Sequence, residues 1–253
     1  VIKDDERQLL QPFYTSLYFF NARVWQEMPL VSIELKKVYR QKDTEFIGIL
    51  DRIRTNTFSS ITLEQLTRRV GAQLDTSNSS LAITLATRRD TVDYINSKQL
   101  DALEGDSVTF LGNIKGEFPL SSLPTPMELE VKTGAQVIFI KNDKDKRWVN
   151  GTLGRITDIS IEDGVICVET EDCNVYPVER ELWENMKYTF NEKENKIEEI
   201  QLGTYTQFPI RLAWAITVHK SQGLTFRQVN IDFTGGAFAG GQTYVALSRC
   251  TSL

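Results

Sequence analysis

Residues 81–87, LAITLAT, constrain the fold more than any other stretch of the chain. Nearly every position is apolar, so the segment has no wet face. A strand of that kind is buried on both sides, as strands are in a parallel sheet covered by helices. Thr87-Arg88-Arg89-Asp90 follows, and a helix is predicted from about Asp90, with Val92, Ile95, Gln99 and Leu103 on one side. Strand, turn and helix make the βα unit of a parallel sheet. IRLAWAI at 210–216 and QVNIDF at 228–233 are further runs of the same kind and predict buried strands.

Between these stretches the texture changes. PLSSLPTP at 119–126 carries three prolines in eight residues, a boundary signal. Short alternating runs follow at 136–142, 148–159 and 164–170, with Asn150-Gly151 and Asp163-Gly164 as hairpin turns and the polar run 191–200 as a last exposed hairpin. The fold class read from this is α/β: a parallel sheet with helices on both faces, interrupted by a small antiparallel β-barrel. Such an insertion requires only that its two ends lie close together. The predicted division is a tail at 1–30, a main domain at 31–126 and 208–253, and the insert at 127–207. Residues 1–30 are aromatic-rich and read as a helix and loop packed on something. VSIELKKVY at 31–39 alternates as a strand would. A helix capped by Asp43 or Thr44 comes next, and a second begins after Thr62 with Gln65 as its capping-box partner.

With 253 residues the chain can bury a full core in one or two domains. Its net charge of −5 argues against a broad basic surface but leaves room for a local basic groove. Lys141, Lys144, Lys146, Arg147 and Arg155 cluster, diluted by Asp143 and Asp145. The three cysteines lack metal-ligand spacing, and the one histidine cannot form a histidine metal cluster, so no metal site is predicted. Three reduced thiols, no signal peptide and no membrane-length apolar run predict a cytoplasmic location. The opening Val1-Ile2-Lys3 lacks methionine and reads as a cut inside a longer protein.

Three stretches carry chemistry. GAFAGGQT at 236–243 fits the phosphate-binding pattern G-x-x-x-x-G-K-[ST] except that Gln242 stands where the lysine belongs. Glutamine supplies no charge to the outer phosphates, so the stretch reads as a turn aiming the next helix. That helix, YVALSR, ends in Arg249, an arginine on an apolar background that is costly to bury without an anion. It fits either a surface ion pair or an arginine finger. Thr217, His219, Lys220, Ser221 and Gln222, beside the free amide of Gly223, concentrate hydrogen-bond donors just past a predicted strand end, where open α/β sheets bind ligands. Donors without a catalytic base suit a polyanion such as a nucleic-acid backbone.

RLAWAITVHKSQGLTF together with QTYVALSRC resembles the fifth and sixth signature motifs of superfamily-one DNA helicases, in the PIF/RecD-like branch that moves 5′ to 3′. VYRQKD with FIGILDRIR is similar to the fourth motif, LATRRDTVDYIN to the accessory motif after it, and GAQVIFIKNDKDKRWVNGTLGRI to the start of the inserted barrel. The resemblance implies an ATP-driven motor of two RecA-like domains, of which this chain holds the second with an SH3-like insert. It implies ATP with magnesium, the metal ligands standing on the first domain. Arg40 and Arg249 are then catalytic, reaching the γ-phosphate, with Gln41, Gly223 and Thr225 near the nucleotide. Thr217, His219, Lys220, Ser221 and Gln222 would hold single-stranded DNA, joined by Thr87, Arg88, Asn150 and Thr152. Where the neighbouring branch has a ribose-binding glutamate this sequence has Thr225. The implied partner is single-stranded DNA or a duplex fork, bound by a monomeric motor in repair, recombination or telomere maintenance. By itself the segment is expected to hydrolyse no ATP. Two rivals remain: an adaptor whose barrel binds a proline-rich peptide beside Trp148 and Trp183, and a phosphotransferase using GAFAGGQT directly.

Overall fold

The computed structural model describes residues 4–253 except 17, 36, 58, 75–80 and 192–195. The chain divides into two compact units, residues 1–38 and 39–253. The first holds helices α1 (Asp4–Leu10) and α2 (Arg23–Glu27). Its aromatic residues cluster: Phe19 meets Phe20 and Trp25 edge-on at 5.4 and 4.8 Å, and Tyr18 stacks on Phe20 at 5.2 Å. The predicted strand at 31–39 is not formed among the described residues, and Val31, Ile33 and Leu35 are exposed. Alternation creates a strand only where a second edge supplies a ladder of hydrogen bonds, and no strand pairs with the described residues of 31–39. The predicted cut at Val1 lies outside the described residues.

The second unit begins with α3 (Thr44–Arg54), capped as predicted by the Asp43 carboxylate, which accepts from the Glu45 and Phe46 amides. In α4 (Ser60–Thr67) the cap is Ser59, accepting from the Thr62 amide, rather than Thr62 itself. Thr62 is instead fully buried and accepts from Arg52 Nη1. Gln65, the expected capping partner, donates to Glu45 on α3 and so ties the two helices together.

β1 (Ala82–Ala86) is the centre of a parallel three-stranded sheet, flanked by β12 (Ala215–Thr217) and β13 (Gln228–Asp232). Its nearly all-apolar sequence fits that central place. α5 (Arg89–Asp101) packs against it. The Asn96 side chain both donates to the Ala215 carbonyl and accepts from the Ala215 amide, each at 2.9 Å, pinning the helix to β12.

The remaining strands are antiparallel. They are β2 (Val108–Leu111), β3 (Asn113–Gly116), β4 (Glu128–Val131), β5 (Gln136–Phe139), β6 (Leu153–Ser160), β7 (Val165–Thr170), β8 (Val175–Val178), β9 (Glu181–Asn191), β10 (Lys196–Gln207) and β11 (Ile210–Leu212). They form sheets of order β11-β5-β6-β7-β8, β3-β10-β9 and β2-β4. The antiparallel pairing is wider than 127–207, because β2 and β3 pair forward across the proline-rich loop with β4 and β10. β9 and β10 form the predicted last hairpin, whose tip at 192–195 lies outside the described residues.

IRLAWAI, expected as one strand, serves two sheets. β11 pairs antiparallel with β5, and three residues later β12 pairs parallel with β1. The switch occurs at Ala213-Trp214. Gln136 holds it: its amide donates to the Ala82 and Ala213 carbonyls at 2.9 and 2.8 Å, and its own carbonyl accepts from the Ala213 amide at 2.9 Å. β5 faces two cores by its period of two. Val137 and Phe139 join Leu129, Ile156, Ile166, Val168 and Phe208, whereas Ile138 joins Ile83, Leu85, Leu153, Val218 and Ala246. The second of these cores contains side chains from both the parallel and the antiparallel sheets.

Candidate functional site

The segment after β12 is a tight turn built from its own polar groups. Thr217 Oγ1 accepts from the Lys220 amide at 3.2 Å, the Ser221 amide donates to the Thr217 carbonyl at 3.1 Å, and Ser221 Oγ donates to the Val218 carbonyl at 2.7 Å. These bonds turn His219, Lys220 and Gln222 outward and bury Ser221 completely. Of the predicted backbone-gripping side chains, Ser221 is therefore a support for the turn and not a surface donor. The turn borders a cleft of about 600 Å³. Thr87 and Arg88 from the end of β1, Thr217, His219 and Gln222, and the loop 238–242 all line it. Parallel strands β1 and β12 end side by side, which is why residues about 130 positions apart share this mouth.

Two side chains of the cleft have notable surroundings. Thr87 Oγ1 is buried without a hydrogen-bond partner. Arg88 crosses Gly235, where an added Cβ would lie 2.7 Å from its Nε, so a glycine is required for the arginine to lie there. The Lys220 ammonium loses protons more readily than an ordinary lysine, first through burial and then through the nearby charges of Arg211 and Arg89. An anion beside Lys220 would offset that penalty.

On the other side of the same turn stand the two predicted arginines. Arg249 follows α6 (Gln242–Leu247) and is only 7% exposed. Its guanidinium donates to the carbonyls of Val245, Ser221 and Leu224 at 2.9, 3.3 and 3.2 Å and to Ser248 Oγ at 2.7 Å. All four acceptors are neutral. Burial of this charge, then the neighbouring Arg40, lowers its proton affinity. Arg40 donates from Nε to Thr225 Oγ1 at 2.8 Å and from Nη1 to the Ser248 carbonyl at 3.2 Å. Gln41, 5% exposed, donates to the Ser248 and Cys250 carbonyls at 3.0 and 2.7 Å. Arg40, Gln41, Thr225 and Arg249 thus form one cluster about Ser248. Gly223 lies exposed beside it on the 217–225 turn. Sequence reading missed Ser248 and Leu224, which serve mainly through backbone carbonyls that no side-chain motif reveals.

GAFAGGQT is closed on itself. Gln242 Oε1 accepts from the Phe238 amide at 3.1 Å, so the side chain in the lysine position spans its own loop. Asn150 and Thr152 also close a turn: the Asn150 amide donates to Asn142 Oδ1, and Thr152 Oγ1 accepts from the Val149 amide. The basic cluster at 141–147 is partly neutralised locally. Lys141 pairs with Glu181 at 2.8 Å, and Arg147 with Asp143 at 2.7 Å, which holds the Asp143 carboxyl down at about 2. Trp148 is buried and stacked on Phe139 at 4.3 Å, and Trp183 packs 5.9 Å from Tyr205, so neither forms the aromatic groove that the peptide-binding alternative needs. Among the described residues no group of three or more His, Cys, Asp or Glu side chains gathers, and no helix is long and apolar enough to cross a membrane.

No protein-family model matches the chain. Two relatives do. An ATP-dependent DNA helicase Pif1 of Campylobacter jejuni is 31% identical, the match covering all of this chain and 58% of the relative. The ATP-dependent DNA helicase PIF1 of Mus musculus is 34% identical, over 93% of this chain and 35% of the relative. Among solved structures, unliganded Pif1 from Bacteroides superposes with a TM-score of 0.84 at 38% identity, covering all of this chain and 57% of that one. Bacteroides Pif1 bound to single-stranded DNA gives a TM-score of 0.67 at the same identity and coverage. The chain therefore spans between about a third and three fifths of the length of these relatives.

Proposed function

Homology to PIF1-like DNA helicases runs the length of this chain, and from it we propose that the chain is the C-terminal part of an ATP-dependent 5′-to-3′ DNA helicase. It supplies the second RecA-like motor domain, split around an SH3-like insert, with residues 1–30 as the tail of the first. One observation carries the reading. Arg249 is bonded to Ser221 and Leu224, and Arg40 to Thr225, so both arginines are fastened to the turn whose opposite face borders the cleft.

In this reading Arg40 and Arg249 face the γ-phosphate of ATP held by the first domain, with Gln41, Gly223 and Thr225 at the rim. A buried guanidinium with only neutral acceptors fits an arriving phosphate, which would give it the opposite charge it lacks. Magnesium belongs to the carboxylates of the other domain and would neutralise the phosphate oxygens there. Thr87, Arg88, Thr217, His219, Lys220 and Gln222 hold the sugar-phosphate backbone of single-stranded DNA, Ser221 fixes their turn, and Asn150 and Thr152 flank the path. The helicase acts as a monomeric motor in the cytoplasm, on single strands or forks.

Binding of the 253-residue chain to a fluorescent single-stranded oligonucleotide tests this. Affinity is expected to fall steadily with salt, and Arg88→Ala or Lys220→Ala should each flatten the log–log slope by about 1. Binding of a proline-rich peptide with no affinity for DNA would replace this reading with the adaptor.

A further inference from the structure

Leu224 is placed to connect the arginine cluster with the antiparallel module. Its side chain meets Gly151, in the turn between β5 and β6. Gly151 has φ +98°, and a Cβ there would lie 2.5 Å from Leu224 Cδ2 and 3.3 Å from Cγ. The leucine occupies the space that only glycine leaves open. The Leu224 backbone points the other way: its carbonyl accepts from Arg249 Nη1 at 3.2 Å, and its amide donates to the Ser221 carbonyl at 3.0 Å. The next residue, Thr225, receives Arg40. Leu224 thus receives Arg249 on its backbone and meets the inserted module with its side chain, while its neighbour Thr225 receives Arg40. Near this contact the ion pair of Arg227 with Glu171 is 3.8 Å long with a largely exposed arginine and contributes little in water, while the Gln136 bonds join the two parts at the β11–β12 junction.

We propose that the Leu224–Gly151 contact transmits movement of the arginine cluster to the antiparallel module, which makes Leu224 a positioning residue for strand separation. The proposal rests on the helicase reading. Coupling between sites requires a continuous physical connection that both sites bias. Here the connection has two halves that mutation can separate. Leu224→Ala removes the side chain facing Gly151 but keeps the carbonyl that receives Arg249. The bond to Arg249 is kept while the module loses this one contact. A contact that merely stabilised the fold would scale every activity together.

The test uses a full-length PIF1-like helicase carrying this sequence. It measures DNA-stimulated ATP turnover and, separately, the base pairs separated per ATP on a forked duplex. Gly151→Ala, which crowds the contact from the module side, is expected to keep turnover within about twofold and to lower base pairs per ATP about fivefold or more. Leu224→Ala should lower base pairs per ATP in the same way, and Leu224→Met, which keeps the volume, should leave coupling near wild type. Parallel loss of turnover and unwinding in both variants, or unwinding per ATP unchanged in both, would overturn the proposal. A wild-type protein without DNA-stimulated turnover would instead overturn the helicase reading beneath it.

Discussion

Arg249→Ala in the full-length helicase is expected to lower ATP turnover about a thousandfold, with far less effect on DNA affinity. The expectation follows from where the charge is placed. Arg249 is held by three carbonyls and one hydroxyl, none of them charged, so these partners leave its positive charge uncompensated, and in the proposed function a phosphate would compensate it. An arginine fixed in advance stabilises charge that develops in the transition state without reorganising at that moment. Lysine keeps the charge but not the planar fork that satisfies four acceptors at once, so Arg249→Lys should recover little. Arg40→Ala should fall in the same direction, because Arg40 shares the Ser248 carbonyl with Gln41 and contacts Thr225. Steady-state phosphate release at saturating DNA checks this, with melting curves confirming that the variants fold. Turnover of Arg249→Ala within about threefold of wild type would remove the arginine from the chemistry.

The second large effect is on stability. Gln136→Ala is expected to cost about 2–4 kcal/mol, because it removes the donor from the buried Ala213 carbonyl and the part-buried Ala82 carbonyl, at the point where one segment passes from the antiparallel to the parallel sheet. Gln136 is 6% exposed, so water cannot take the place of its amide without opening the junction. Urea unfolding of the 253-residue chain should show a midpoint lowered by roughly 1 M for a loss of this size. Gln136→Glu should be nearly as damaging, since a carboxylate has no donor to offer either carbonyl. A loss below about 0.5 kcal/mol in Gln136→Ala would mean that the sheets are held together without this amide.

What the sequence revealed depended on whether the signal was local. LAITLAT reads as a central parallel strand because burial on both faces leaves a mark on every residue of it. Asp43 reads as a cap because its carboxylate bonds amides two and three residues away. Arg249 was identifiable because an arginine on an apolar helix is conspicuous, whereas Arg40 and Gln41 were marked only by the resemblance of their segment to a helicase motif. Their common acceptor was not, since the Ser248 carbonyl belongs to a backbone that looks the same for every sequence. The sheet switch inside IRLAWAI was equally hidden. A continuous apolar run is compatible with one long strand, and the break at Ala213-Trp214 is decided by Gln136, more than seventy residues earlier. The missing strand at 31–39 is the converse case, where alternation was present and the pairing edge was not. The role of Gln242 was legible as an absence, a lysine not there. That it closes its own loop onto the Phe238 amide required coordinates.

The central claim is that the arginine cluster and the DNA-facing turn are one mechanical unit. The most direct test is the affinity of the full-length helicase for single-stranded DNA, with and without a non-hydrolysable ATP analogue, in wild type and Arg249→Ala. Because Arg249 bonds directly to Ser221 and Leu224, the analogue should change wild-type DNA affinity about fivefold or more, and Arg249→Ala should abolish that change while leaving nucleotide-free affinity within about twofold. A nucleotide-dependent change that persists at full size in Arg249→Ala would contradict the account.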